Sequence, residues 1–137
     1  MARMKLDKID LKILGDLQEN GRMTNVELAK RAGISPPPCL RRVRTLERTR
    51  CIRGYHADVD PESLGFGVTV FAQVGLNSQA EADLARFERL VESWPEAREC
   101  HMLAGETGFL LKSVAADWDG CQGFLATRLT AARNVSV

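Results

Sequence analysis

Apolar residues recur at helical spacing three times within the first fifty positions, then give way to alternating runs, so the chain reads as a helical segment followed by a mixed one. Leu6, Ile9, Ile13, Leu14 and Leu17 share one face of a helix predicted over 6–20, with Asp7 at its start and Asn20-Gly21 at its end. A second helix is predicted from Asn25: Thr24 and Glu27 have the spacing of a capping box, and Met23 and Leu28 that of a hydrophobic staple. It runs through Leu28, Ala29 and Ala32 to Gly33, which tolerates the left-handed backbone that ends a helix. Ser35 then reads as the cap of a third helix with Pro36 at its first position, where a missing amide donor costs nothing. Because a residue preceding proline is pushed from helical angles, the run Pro36-Pro37-Pro38 allows a start a residue or two later. Cys39, Leu40, Val43 and Leu46 form the inward side of that helix.

Beyond it, residues 52–59 alternate Ile52, Gly54, His56, Asp58 against Arg53, Tyr55, Ala57, Val59, predicting a strand that serves as wing, linker or both. Asp60-Pro61 breaks it and Leu64-Gly65 turns the chain. A buried strand is predicted over 67–76 from Val68, Val70, Phe71 and Val74. An amphipathic helix over 79–93 carries Leu84, Phe87, Leu90 and Val91, with Pro95 at its exit. Strands over 97–103 and 109–115 flank the hairpin loop Ala104-Gly105-Glu106-Thr107-Gly108. Asp117 caps a last helix reaching Leu129, with Trp118, Cys121, Leu125 and Leu129 expected to face inward. The order β-α-β-β-α is that of a ferredoxin-like αβ sandwich whose closing strand is mostly missing, only 135–137 beginning it. The expected fold class is therefore α+β: a helix-turn-helix domain at 1–52, a linker strand and turn at 53–65, and an incomplete ferredoxin-like domain at 66–137.

Charge gives the first half a task. On the third helix Arg41, Arg44, Thr45 and Arg48 recur at i, i+3, i+4 and i+7, with Arg42 beside them. So many arginines on one helix repel one another unless something anionic lies outside, and guanidinium matches both phosphate oxygens and the acceptor edge of guanine. The plainer reading is a solvated basic face. Residues 1–56 hold 13 Lys or Arg against 6 Asp or Glu, net +7, while 57–137 hold 6 against 12, net −6, beneath a whole-chain charge of only +1. Such asymmetry is a footprint of nucleic-acid binding by one module and not the other.

The remaining composition excludes more than it suggests. At 137 residues, 45% hydrophobic and 27% charged, the chain suits two small domains or one ordinary one, and not disorder. No run approaches a membrane span and no secretory core follows Arg3, Lys5, Asp7 and Lys8, so a cytoplasmic location is expected. Cys39, Cys51, Cys100 and Cys121 lack metal-site spacing and read as small hydrophobes. His101 and Cys100, adjacent in a strand, point to opposite faces, which favours packing over metal ligation; His56 likewise reads as a strand residue. No nucleophile, base and orienting group can be assembled, so neither an enzyme nor a cofactor is expected.

Taken together, 6–14 (Leu6-Asp7-Lys8-Ile9-Asp10-Leu11-Lys12-Ile13-Leu14), Ser35-Pro36 through Cys39-Leu40-Arg41-Arg42-Val43, Ile52-Arg53-Gly54-Tyr55 and Cys100-His101-Met102-Leu103-Ala104-Gly105-Glu106 resemble the Lrp/AsnC (leucine-responsive/asparagine-regulator) family of transcription regulators over nearly the whole length. The resemblance implies a winged helix-turn-helix, a linker strand, and an αβ sandwich that dimerises or assembles further and senses an amino acid near the hairpin loop. Carried over by position, it places Ser35, Arg41, Arg42 and Thr45 on the face entering the major groove of double-stranded DNA, Arg44 and Arg48 on phosphate, Pro37 also among the DNA-binding residues, and Gly105, Glu106, Thr107 and Gly108 at the effector. That loop also reads as a plain hairpin turn.

Three positions depart from the family pattern. Gly108 stands where relatives commonly carry an acidic residue, Arg50 replaces the glycine usual after the recognition helix, and the chain stops at Val137 where relatives continue into a strand. The expected function is a sequence-specific DNA-binding regulator responsive to an amino acid. The alternative is an effector-binding or interaction protein that has lost DNA regulation and acts through mixed oligomers with an intact relative.

Overall fold

Two aspartates start the first helix, α1 (Lys8–Glu19), by capping each other: Asp7 Oδ1 accepts from the Asp10 amide at 2.8 Å, and Asp10 Oδ2 accepts from the Asp7 amide at 3.2 Å. In the computed structural model, which describes residues 4–105, 108–132 and 135–136, this helix belongs to the first of two units, Met1–Asp58 and Val59–Val137. Helix α2 (Asn25–Ala32) starts at Thr24, whose hydroxyl accepts from the Glu27 amide at 3.2 Å. The return bond of a full capping box is not made among the described residues. Gly33, at φ 74°, ends α2 in the left-handed region, as its position predicts. Helix α3 (Pro36–Arg48) begins at the first proline. Ile13, Leu28, Ala29, Cys39 and Leu46 form the core of this unit, with Leu6, Ile9, Leu17, Met23 and Val43 packed around them.

Ser35 occupies the cap position of α3 but makes no side-chain cap bond. A capping hydroxyl needs the amide of the second or third helical residue, and those residues are Pro37 and Pro38, which have none. At the other end Arg50 takes φ 63°, the one non-glycine residue at positive φ among those described. The strand expected over 52–59 is not formed: residues 53–59 are exposed and unpaired. Alternation supplies the side-chain pattern of a strand, but a ladder also needs a neighbouring backbone, and none runs alongside within the described chain.

The second unit is built on a four-stranded antiparallel sheet in the order β2-β3-β1-β4. Its elements follow as β1 (Val68–Leu76), α4 (Glu81–Glu92), β2 (Ala97–Met102), β3 (Phe109–Ala115), α5 (Trp118–Phe124) and β4 (Val135–Ser136). This is the ferredoxin-like arrangement, with β1 paired to β3 from Val68 to Val74 and to β4 at Gly75 and Leu76. Val74, Leu76, Phe87, Val91, Trp94, Phe109, Leu111, Phe124 and Leu129 make the core. Within it the Phe87 ring lies 5.0 Å from Phe109, and Trp94 meets Phe124 edge-on at 5.8 Å.

The last helix differs from expectation in two ways. Trp118 is 69% exposed and not inward-facing; as the first residue after the Asp117 cap, it precedes the buried stripe of Cys121 and Phe124. From Leu125 to Leu129 the helix widens to a π turn, with the Thr130 amide reaching back to the Leu125 carbonyl at 3.0 Å. The extra residue keeps Phe124 and Leu129 on the buried side and leaves Leu125 half-exposed.

Candidate nucleic-acid interface and effector loop

The polar side of α3 carries Arg41, Arg44 and Arg48, all exposed and without an ion-pair partner among the described residues. Thr45 lies among them, its hydroxyl donating to the Arg41 carbonyl at 3.0 Å and keeping its oxygen free to accept. A shallow cleft of about 430 Å³ beside them is lined by Lys5, Asp10, Pro38, Arg41, Arg42 and Thr45. Ser35 and Pro37 are exposed at the leading end. With prolines at the first three helical positions, the earliest amide on α3 is that of Cys39, and it already bonds the Ser35 carbonyl at 3.3 Å. Helix starts ordinarily bind phosphate through free amides. The start of α3 therefore offers no free amide among its first four residues.

Arg42 stands apart from the other arginines. Its Nη1 lies 2.7 Å from Asp7 Oδ2 and 3.0 Å from Asp10 Oδ1, so the carboxylates that cap α1 neutralise it within its own chain. The ridge is narrower than the arginine count suggests. The Asp10 amide, and after it the Arg42 guanidinium, hold the Asp7 carboxyl below its usual range, while Asp7 and then Asp10 push Arg42 upward. A second cluster ties α1 to α2: buried Asp16 accepts from Lys12 at 2.9 Å and lies 3.3 Å from Arg31, and Lys12 foremost holds its carboxyl low. Asn25, at the start of α2, donates to the Pro36 carbonyl at 2.9 Å and holds the entrance of α3.

In the second unit the hairpin between β2 and β3 holds two of the four expected effector residues in described positions. Gly105 adopts φ 117°, a conformation that favours glycine. Gly108 is buried, donates to the Val74 carbonyl at 3.0 Å and accepts from the Leu103 amide at 3.0 Å. A Cβ there would meet the Val74 oxygen at 3.1 Å and Leu76 Cγ at 3.3 Å. Glu106 and Thr107 lie outside the described residues.

The histidines and thiols separate by burial. Cys39 and Cys121 are buried and Cys100 is half-buried, its thiol pushed up to about 11 chiefly by burial, with Glu88 and Glu92 adding to it. Cys51 is exposed and so does not fit the reading of all four as packed hydrophobes. His101 is also exposed, 3.0 Å from Glu99. It is a surface partner of that carboxylate, not a packing residue. Among the described residues no group of His, Cys, Asp and Glu is arranged to hold a metal, and no helix is long and apolar enough to cross a membrane.

Comparison with known proteins bears on both units. Residues 6–53 match the family model for winged helix-turn-helix DNA-binding domains, and residues 69–137 match that of the Lrp/AsnC ligand binding domain. The leucine-responsive regulatory protein of Rhizobium meliloti is 50% identical over 135 residues, covering 98% of this chain and 86% of that protein. The protein of the same name in Escherichia coli K12 is 42% identical over 124 residues, 90% of this chain and 76% of its own. Among solved structures, a transcriptional regulator from Neisseria meningitidis in complex with L-Met superposes with a TM-score of 0.90 at 41% identity, covering 97% of this chain and 86% of that one.

Proposed function

The chain belongs to the Lrp/AsnC family of transcription regulators, DNA-binding proteins responsive to amino acids, and from that premise we propose how its own residues divide the work. Helix α3 enters the major groove with Ser35, Pro37, Arg41 and Thr45 toward the base edges, while Arg44 and Arg48 engage phosphates on its flanks. The observation that carries this reading is the set of three exposed guanidiniums, without an ion-pair partner among the described residues, on one face of a helix buried on its other side. Arg41 is the strongest candidate for guanine, whose O6 and N7 it can engage by paired hydrogen bonds. A symmetric dimer would place two such helices roughly 34–36 Å apart, on dyad-related half-sites. The loop 105–108 takes a free amino acid. The protein acts in the cytoplasm as a binder of DNA and not as a catalyst.

The test is enrichment of random-sequence duplexes on the wild-type chain against excess competitor DNA, followed by titration of single amino acids into the complex. A dyad-symmetric motif whose occupancy changes with one or more amino acids is expected. Failure to enrich any sequence would remove the DNA reading, and an occupancy indifferent to all amino acids would remove the effector reading.

A further inference from the structure

The geometry points to Arg42 as a positioning residue and not a DNA contact: its guanidinium, seated on the interlocked carboxylates that cap α1, sets the rotation of α3 and so directs Arg41, Thr45, Arg44 and Arg48 at the duplex. This rests on the DNA reading of α3 given above.

The cluster is closed on itself. Asp7 Oδ1 holds the Asp10 amide and Asp7 Oδ2 holds Arg42; Asp10 Oδ2 holds the Asp7 amide and Asp10 Oδ1 holds Arg42. All four carboxylate oxygens thus have a named partner, and each carboxylate is oriented by backbone before it meets the guanidinium. A phosphate approaching Arg42 would meet two anionic groups already in place, with Asp10 only 16% exposed at its side chain and Arg42 32%. Arg41 and Arg42 are successive residues on a helix and project about 100° apart. Fixing one therefore fixes the azimuth of the other. The entrance of α3 is separately held by Asn25 on the Pro36 carbonyl. One tie near the start of the helix and one under two turns later together define both its translation and its roll. Such a tie acts on specific recognition, which needs side chains aimed at base edges, more than on electrostatic attraction to any duplex.

The experiment compares the wild-type full chain with Arg42→Ala, Asp7→Asn/Asp10→Asn, the triple combination, and Arg44→Ala as a phosphate-contact standard. Binding is measured to a duplex enriched by the wild type and to a random-sequence duplex, across a range of salt concentrations, with far-UV circular dichroism to verify folding. Arg42→Ala is expected to weaken the enriched duplex about tenfold, to leave the random duplex within about twofold, and to keep the wild-type salt slope, whereas Arg44→Ala lowers that slope by about 0.9. Asp7→Asn/Asp10→Asn is expected to weaken specific binding although it removes two negative charges, and the triple variant is expected to be no worse than Arg42→Ala, because all remove one shared interaction. Asn retains an oxygen able to cap α1, so this double variant serves if Arg42→Ala fails to fold. A salt slope lowered by Arg42→Ala, or tighter binding by Asp7→Asn/Asp10→Asn, would overturn the positioning role. A wild-type chain that enriches no sequence would instead remove the DNA reading on which it stands.

Discussion

Gly108→Ala adds one methyl group at the base of the effector loop, and its consequence can be worked from the contacts that methyl would meet. The Val74 carbonyl oxygen lies 3.1 Å from the ideal Cβ position and Leu76 Cγ lies 3.3 Å away, both tighter than ordinary van der Waals contact. The carbonyl already accepts the Gly108 amide at 3.0 Å, and Val74 is 1% exposed and paired with Phe109 in the sheet. Neither neighbour is the free end of a flexible side chain on the surface, so relief requires β1 or Leu76 to shift. Forcing a methyl into such packing costs about 1–3 kcal/mol. Opposing this, alanine restricts the unfolded chain and returns about 0.4–1 kcal/mol. Gly108 is not at positive φ, so no backbone penalty adds to the total. The net is a destabilisation of about 1 kcal/mol. For a unit of this size it lowers the thermal midpoint by roughly 4–8 °C, or less if both units melt together. Thermal unfolding followed by circular dichroism, with urea denaturation as a cross-check, measures it. Gly108→Asp is expected to fall further, since its carboxylate must also displace Leu76 or lie against it. A midpoint for Gly108→Ala equal to or above the wild type would refute the packing argument and show that the loop can receive a side chain as it stands.

Two further substitutions probe the first unit. Arg50→Gly relieves a non-glycine residue held at φ 63° and is expected to raise stability by about 1 kcal/mol, read from urea unfolding; an unchanged midpoint would mean the strain is absent. Asp16→Asn removes the buried carboxylate shared by Lys12 and Arg31 and is expected to lower the unfolding midpoint at neutral pH. Because the folded pKa of Asp16 lies below its ordinary value of 3.8, its stabilisation is complete above that value and is lost as pH falls below it. The Asn variant should therefore lose less stability than the wild type between about pH 4 and pH 2, and parallel acid profiles would contradict this.

Short-range chemistry made most of the helices legible. Thr24 ahead of Glu27, Gly33 at φ 74° and the apolar spacing of Ile13 and Leu17 each act within a few residues of where they stand. Long-range partners were not legible in the same way. Nothing local in the arginine run distinguishes Arg42 from Arg41, and the separation appears only when Asp7, 35 positions earlier, folds against it. The strand pattern over 52–59 reports which side chains alternate but not whether a second backbone runs beside them. The proline run hid a related point: Ser35 sits at a helix start yet has no amide to cap, because Pro37 and Pro38 remove the donors that its spacing implies. Trp118 has the period of the inward stripe but stands directly after the Asp117 cap and is exposed, whereas the helix turns Cys121 and Phe124 inward and changes pitch at Leu125.

The most direct test of an arginine ridge that holds duplex DNA is the salt dependence of its affinity. Binding of the wild type and of Arg44→Ala/Arg48→Ala to the same enriched duplex, measured by fluorescence anisotropy over a range of salt, gives two slopes of log Kobs against log salt. Two lost phosphate contacts lower the magnitude of that slope by about 1.8. Superimposable slopes would mean that those guanidiniums never displace counterions from DNA, and that α3 does not lie in the groove.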